Sequence, residues 1–150
     1  MTTLIFAAAL FTAALGAIPA QMEEARIPGA LEFGQAGAGA AKDVVLMPES
    51  VGVNEDFQVT IVTFGNGCDR PGDTAVIMTM AGAAIMVYDL TTAVDPGVMC
   101  TAVIKRLSHT ATMRFTRPGR ALVQIWGRRV APDTPPLGTP IVLERSITVR

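Results

Sequence analysis

Few side chains in this chain suit nucleophilic catalysis. There is a single His, His109, and Ser108 directly precedes it. A hydrolytic triad needs a nucleophile that meets the His, yet neighbours on a strand point to opposite faces. No Ser lies in a G-x-S-x-G motif. We therefore predict no catalytic residue and no enzymatic activity. We expect His109 to lie in a turn or on the surface, so that His109→Ala leaves folding nearly intact.

Metal chemistry is poorly supported as well. A blue-copper site needs two His and a Cys, which one His cannot supply. Asp69 and Asp73 lack the D-x-[DN]-x-[DN]-G spacing of a calcium loop. The other carboxylates show no pairing typical of a glycosidase. The sequence predicts neither a metal site nor a cofactor.

The N-terminus indicates export. Residues 1–22 carry no charged side chain, and residues 4–20 are almost entirely apolar. This run is shorter than the about 20 apolar residues of a membrane span, and Ile18-Pro19-Ala20 offers a small residue for cleavage. We predict a signal peptide over residues 1–20; a retained membrane anchor is the alternative. Either leaves the remainder periplasmic or extracellular.

Cys68 and Cys100 are the only two cysteines. In an exported protein an even pair favours a disulfide. This bridge would close a loop of about 32 residues and contribute roughly 4 kcal/mol in the chain-entropy model. Two free buried thiols are the alternative.

Charge is distributed unevenly along the chain. Residues 1–100 contain 3 basic and 11 acidic side chains, whereas residues 101–150 contain 9 basic and 2 acidic ones, which sum to the net −1. Most of the C-terminal cations are Arg, which suits bidentate contacts with carboxylate or phosphate. Either acidic and basic strands neutralise each other internally, or a basic face meets an acidic protein or anionic lipid head groups. The predicted partner contacts are Arg114, Arg117, Arg120, Trp126 and Arg128.

The predicted partner contacts lie in a region whose residue pattern is typical of β-strands. Residues 21–41 are rich in Gly and Ala and suggest a flexible tether. From residue 42 to 150, short β-type runs alternate with turn residues about every 10–12 residues. The runs are 43–47, 57–64, 74–80, 83–89, 98–107, 110–115, 121–130 and 141–149. This pattern predicts an all-β, mainly antiparallel sandwich or barrel of about 7–9 strands. We expect the core to include Met47, Met78, Met80, Met86, Met99 and Met113.

One segment carries a family resemblance. Residues 115–125, FTRPGRALVQI, resemble the F-x-x-P-G-x-x-x-V-x-V segment of immunoglobulin-like and fibronectin-like bacterial domains. The resemblance implies an immunoglobulin-like sandwich in which the Pro-Gly turn precedes a central strand. It departs from antibody domains because Ala121 stands where a corner Tyr often does, and it implies no activity.

Together these features predict an exported interaction module. We expect a non-enzymatic structural subunit that braces a larger membrane-associated complex through a protein contact, with anionic lipid head groups as a further candidate partner. Nucleic acid is not expected outside the cytoplasm. The alternative is a domain that binds a small ligand or carbohydrate through loop residues and Trp126.

Overall fold

The computed structural model describes residues 24–34, 44–93, 97–132, 134–135 and 137–150. The predicted leader, residues 1–20, and residues 21–23 and 35–41 of the predicted tether lie outside these ranges. Within them the chain is all-β, as the sequence predicts. The same residues include no helix long and apolar enough to cross a membrane.

Ten strands are present in the described residues, eight of them after residue 42. The first four are short: β1 (Ala25–Pro28), β2 (Ala30–Phe33), β3 (Val45–Leu46) and β4 (Ser50–Val51). Six longer strands follow: β5 (Asp56–Gly65), β6 (Asp69–Met78), β7 (Gly82–Thr91), β8 (Lys105–Arg114), β9 (Gly119–Val130) and β10 (Thr139–Val149).

The strands form one sheet curled into a half-barrel. Antiparallel ladders join β3 to β5, β5 to β8, β6 to β7 and β9 to β10. Three pairings are parallel: β7 with β9, β2 with β9, and β4 with β10. The expected antiparallel order therefore holds for most of the sheet, but the centre is mixed because β9 has parallel neighbours along one edge.

The core lies on the concave face of the curled sheet. β8 and most of β9 alternate between buried and exposed residues, as strands with one solvated face should, and the first half of β5 follows the same pattern. In β7 the buried residues alternate with partly buried ones. The buried positions are filled mainly by Val and Ile, among them Val59, Ile61, Ile85, Val123 and Ile125. Of the methionines expected in this core, Met113 is buried, whereas Met78, Met80 and Met99 are exposed.

The six long strands alternate in direction, so the half-barrel has two ends. The disulfide end carries Cys68 and Cys100, together with the loop between β9 and β10. The opposite end carries the β6–β7 turn and the β8–β9 turn, and we call it the arginine end for the side chains described below.

Part of the segment expected to be a tether belongs to the sheet. β1 pairs with β7, and β2 continues along β9 and β5. Between them, the Gly29 N–H donates to Val87 O and the Arg128 N–H donates to Gly29 O. A Cβ at Gly29 would lie 2.6 Å from Cγ2 of Thr63, so this crossing needs glycine. Leu31 is fully buried, which makes residues 24–34 a structural part of the fold.

Candidate functional site

Three of the five predicted partner contacts come together at the arginine end. Arg114, Arg117 and Arg120 line one groove of about 530 Å³ with Met78 and Met80. β8 supplies Arg114, the following turn supplies Arg117, and β9 supplies Arg120. Gly119, at φ 130°, lets the chain reverse between these strands. We call this feature the arginine groove.

One of these arginines is neutralised locally. The Arg114 Nε and Nη2 atoms donate to the two carboxylate oxygens of Asp56, both at 2.7 Å. This hydrogen-bonded pair holds the pKa of Asp56 below its ordinary value and raises that of Arg114. The pair of Arg114 with Asp56 therefore fits the interpretation that acidic and basic strands neutralise each other.

Arg117 and Arg120 differ from Arg114 in this respect. Both are exposed, and neither forms an ion pair with a residue of the described ranges. Arg120 donates through Nη2 to the hydroxyl of Ser146 at 3.0 Å, which leaves its charge uncompensated. The arginine groove thus has a surplus of two positive charges at its mouth.

Trp126 lies on the same outward face of β9 as Arg120. The side chains of Arg120, Leu122, Gln124 and Trp126 alternate with the buried positions of that strand. Trp126 is 44% exposed and has Met86 of β7 and Val142 of β10 as its cross-strand neighbours. Leu122 and Trp126 are exposed apolar side chains on either side of Gln124, whose Nε2 donates to Oε1 of Glu144 at 2.8 Å. We call this row the apolar stripe, although Gln124 interrupts it, and it continues from the arginine groove along the outside of the sheet.

Arg128 is not part of that surface. We expected it to lie beside Trp126 as an exposed contact, but the residue is only 9% exposed. The regular alternation of β9 stops at Gly127, where β2 replaces β7 as the neighbouring strand. The Arg128 side chain contacts the β9–β10 loop through Leu137. Arg128 also lies about 26 Å along the strand from Arg120, at the disulfide end.

The structure joins Cys68 and Cys100 in a disulfide, in agreement with the expected pairing. Their Cα atoms are 5.2 Å apart. Cys68 lies in the turn between β5 and β6, and Cys100 lies in the loop before β8. The bridge therefore fixes two loops at one end of the half-barrel.

The prediction that His109 lies in a turn or on the surface is wrong. This residue lies on β8 with its side chain in the interior, whereas Ser108 is exposed, as alternation requires. His109 Nε2 lies 3.0 Å from Thr63 Oγ1 and 2.9 Å from Asp89 Oδ1, and Thr63 Oγ1 donates to Asp89 Oδ1. The three residues form a buried polar cluster that ties β5, β7 and β8 together.

This cluster does not have the geometry of a catalytic relay. In a hydrolytic triad the His uses one ring nitrogen for the nucleophile and the other for the carboxylate. Here both contacts are made by Nε2, and Nδ1 has no partner among the described residues. The side chains of His109 and Asp89 are 1% exposed, so a substrate has no access to them. We interpret the cluster as structural.

Metal ligands are not grouped in the part of the chain that the structure describes: no three His, Cys, Asp or Glu side chains there are arranged to hold an ion. The chain matches no protein-family model, no curated protein and no solved structure. Functional inference therefore depends on the surfaces and cavities of the molecule itself.

Proposed function

We propose that this protein is a non-enzymatic, exported interaction module that docks on an acidic protein partner. The docking surface is the arginine groove with the apolar stripe from Leu122 to Trp126. The observation that carries the proposal is the convergence of Arg117, Arg120, Met78 and Met80 on one groove, although they come from distant parts of the sequence. The chemistry of this surface fits a structural subunit of a membrane-associated complex.

The uncompensated charge favours an acidic partner. Arg guanidinium groups form bidentate hydrogen bonds with carboxylates, and these bonds give geometric specificity. Arg117 and Arg120 form no ion pair with a carboxylate of the described residues, so a carboxylate of the partner would neutralise their charges. The surrounding Met side chains adapt their shape to an apolar neighbour.

The apolar stripe supports a protein rather than a lipid partner. Trp and Arg are enriched at the energetic centres of protein interfaces, and Trp126 stands in one line with Arg120 on β9. Lipid head groups would engage the arginines, but they offer no matching surface for a stripe that runs along the strand. Binding to anionic lipid is therefore the competing outcome of the experiment below.

We also propose a distant relation to immunoglobulin-like sandwiches. In those domains strands A, B and E lie in one sheet and strands F and G pair in the other. The sets β3–β5–β8 and β9–β10 follow that arrangement. The neighbour of β9 on its other side is the parallel strand β7, where the sandwich places an antiparallel strand. The proposal therefore covers part of the topology.

Export is proposed on two grounds. The apolar leader of residues 1–20 is typical of a signal peptide. The disulfide is consistent with an oxidising periplasmic or extracellular compartment.

The test is a pull-down from solubilised envelope membranes with the full-length protein at low and high salt. We expect a membrane protein to co-purify at low salt. It should be lost at high salt, because the screening length for exposed charges is then about 8 Å or less. The double variant Arg117→Glu/Arg120→Glu should abolish capture. Arg70→Glu makes the same type of charge change at an exposed position of the disulfide end and should have no effect.

Two results would contradict this function. Equal capture by the wild type and the double variant would exclude the arginine groove. Binding to protein-free vesicles of anionic phospholipid, lost in the double variant, would show that the groove binds lipid and not protein.

A small-ligand-binding function is the second candidate, because the disulfide end contains a separate cavity. Trp126 does not line this cavity.

A further inference from the structure

A cavity of about 570 Å³ opens at the disulfide end, at the opposite end of the half-barrel from the arginine groove. Its wall is mainly apolar and includes Phe33, Phe64, Ile104 and Leu137. This volume lies within the range of about 300–1,000 Å³ that is common for small-molecule sites. Phe33, Ile104 and Leu137 are exposed in part, so they present apolar surface around the cavity.

Arg128 contributes a cation to this apolar wall. The residue is 9% exposed, and its Nη1 donates to Leu137 O at 3.2 Å. Its Nε is buried and has no hydrogen-bond partner among the described residues. A guanidinium stays charged in proteins, and a buried charge without a partner is unfavourable. Nε is shielded from the cavity, so the capacity of Arg128 to bind an anion there lies in its Nη groups.

The carboxylates near Arg128 do not use that capacity. Asp69 also lines the cavity, but its Oδ2 accepts a hydrogen bond from the Asn66 N–H at 2.8 Å, and it forms no ion pair with Arg128. Thr63 and His109 engage Oδ1 of Asp89, whereas its Oδ2 has no hydrogen-bond partner among the described residues. Burial lowers the pKa of Arg128, and the charges of Asp69 and Asp89 oppose that shift.

We propose that this cavity binds a hydrophobic monocarboxylate, with its carboxylate on Arg128 and its apolar body against Phe33, Phe64 and Ile104. A carboxylate accepts hydrogen bonds from Arg128 and adds a directly paired counter-charge to the Coulomb attraction of Asp69 and Asp89. The other polar side chains of the wall are Asn66, Asp69 and Thr91, and the rest of the wall is apolar, so the body of the ligand must be mainly apolar. This site is independent of the docking surface proposed above.

The test is isothermal titration of the full-length protein with decanoate and 1-decanol at neutral pH. These probes have the same chain length and differ in the head group. We expect decanoate to bind at least about tenfold more tightly than decanol, because hydrogen bonds to charged groups are the stronger class. Across hexanoate, octanoate and decanoate the affinity should rise by about fourfold per added CH₂ while the cavity fills.

Arg128→Met should lose the preference for decanoate and still bind decanol, an outcome that loss of folding would not produce. Arg120→Met removes an exposed arginine from the same strand and should leave both affinities unchanged. If Arg128→Met does not fold, Ala102→Trp provides the second variant: it places a large ring at the exposed cavity wall, retains Arg128, and should weaken both probes.

Three results would overturn the proposal. These are the absence of decanoate binding to the wild type, equal affinity for decanoate and decanol, and a decanoate preference that survives Arg128→Met.

Discussion

Nε2 of His109 lies 2.9 Å from Oδ1 of Asp89, and both side chains are 1% exposed. The contact joins β8 to β7, which are not paired in the sheet. A buried carboxylate is strongly destabilising unless a cation or hydrogen-bond donors compensate it. Asp89 obtains this compensation at Oδ1, from His109 and Thr63, whereas Oδ2 has no hydrogen-bond partner among the described residues. The cluster therefore depends on all three residues.

The position of His109 reverses the expectation that its removal is harmless. His109→Ala leaves Asp89 buried without its ring partner, and breaking a buried pair in this way costs about 3–5 kcal/mol. Urea unfolding followed by circular dichroism measures the loss. Ser108→Ala, at the adjacent exposed position, should change stability by no more than about 0.5 kcal/mol.

A double-mutant cycle separates pairing from packing. Asp89→Asn in the His109→Ala background should cost less than Asp89→Asn alone, because the two residues interact directly. Additive effects of the two substitutions would contradict a coupled pair.

Sequence reasoning missed this cluster for a physical reason. Thr63, Asp89 and His109 lie on three strands, and only the sheet topology brings them together. The sequence was divided into runs 98–107 and 110–115 with Ser108 and His109 between them, whereas β8 continues through both residues. The signal that was available is the apolar set Leu107, Ala111 and Met113, which shares the parity of His109 and is buried with it.

Strand positions were predicted well where polar and apolar residues alternate regularly. They were predicted less well where a β-bulge or the disulfide determines the path of the chain. Residues 57–64 and 121–130 were predicted as strands and lie within β5 and β9. β6 starts at Asp69, before the predicted 74, because a bulge between Pro71 and Thr74 accommodates Pro-Gly, which we read as a loop. Residues 98–104 were predicted as strand, but Cys100 is held in a loop by its disulfide.

The candidate site was predicted only in part, because the sequence shows which residues are charged but not how deeply their side chains are buried. Arg114, Arg117 and Arg120 lie together at one end, around the β8–β9 turn. Arg128 follows the same alternation as Trp126, yet its side chain is buried and donates to Leu137 O of the β9–β10 loop. The neighbouring strand there is β2, whose residues 30–33 gave no strand signal in their Gly-rich context.

The disulfide prediction is tested by thiol chemistry. Labelling of denatured, unreduced protein should detect no free thiol, since the structure leaves no free cysteine in the described residues. Cys68→Ala/Cys100→Ala should lower the free energy of unfolding by up to about 4 kcal/mol through loss of the closed loop. Two labelled cysteines in wild-type protein would contradict the bridge.

The ion pair of Asp56 with Arg114 predicts a specific titration. Hydrogen bonds from Arg114 lower the pKa of Asp56, so the carboxyl binds its proton less readily in the folded than in the unfolded chain. The stabilisation from this pair is fully present above the pKa that Asp56 has in the unfolded chain. It is lost as pH falls through the lower pKa that Asp56 has in the folded chain.

Carboxyl-carbon NMR checks this titration. In Arg114→Gln the pKa of Asp56 should rise towards its ordinary value. Asp73, whose pKa Arg26 lowers in a separate pair, should not change and serves as the control. An unchanged Asp56 titration in Arg114→Gln would show that the pair does not form in solution.

The leader prediction concerns residues outside the described ranges. Signal-peptide cleavage after Ala20 gives a mature chain that begins at Gln21. Intact-mass spectrometry of protein from the native envelope measures the start directly. A mass that includes residues 1–20 would favour the membrane anchor instead.

The apolar stripe predicts an energetic centre at Trp126. Trp126→Ala should weaken partner capture by about 2 kcal/mol or more if the ring is a hot spot, which is about thirtyfold in affinity. The fold should persist, because the ring is 44% exposed and lies outside the core. Met99→Ala truncates an exposed apolar side chain at the disulfide end and should not affect capture.

Salt dependence distinguishes the two parts of the docking surface. Trp126→Ala removes apolar contact, so the remaining binding should keep the salt sensitivity of the wild type. Arg117→Glu removes an exposed charge, so binding should be both weaker and less sensitive to salt. The dissociation constants are measured with the captured partner by biolayer interferometry between 50 mM and 500 mM salt, about a threefold change in screening length. If Trp126→Ala binds as tightly as the wild type, the stripe is not part of the interface. The arginine groove alone would then have to account for docking.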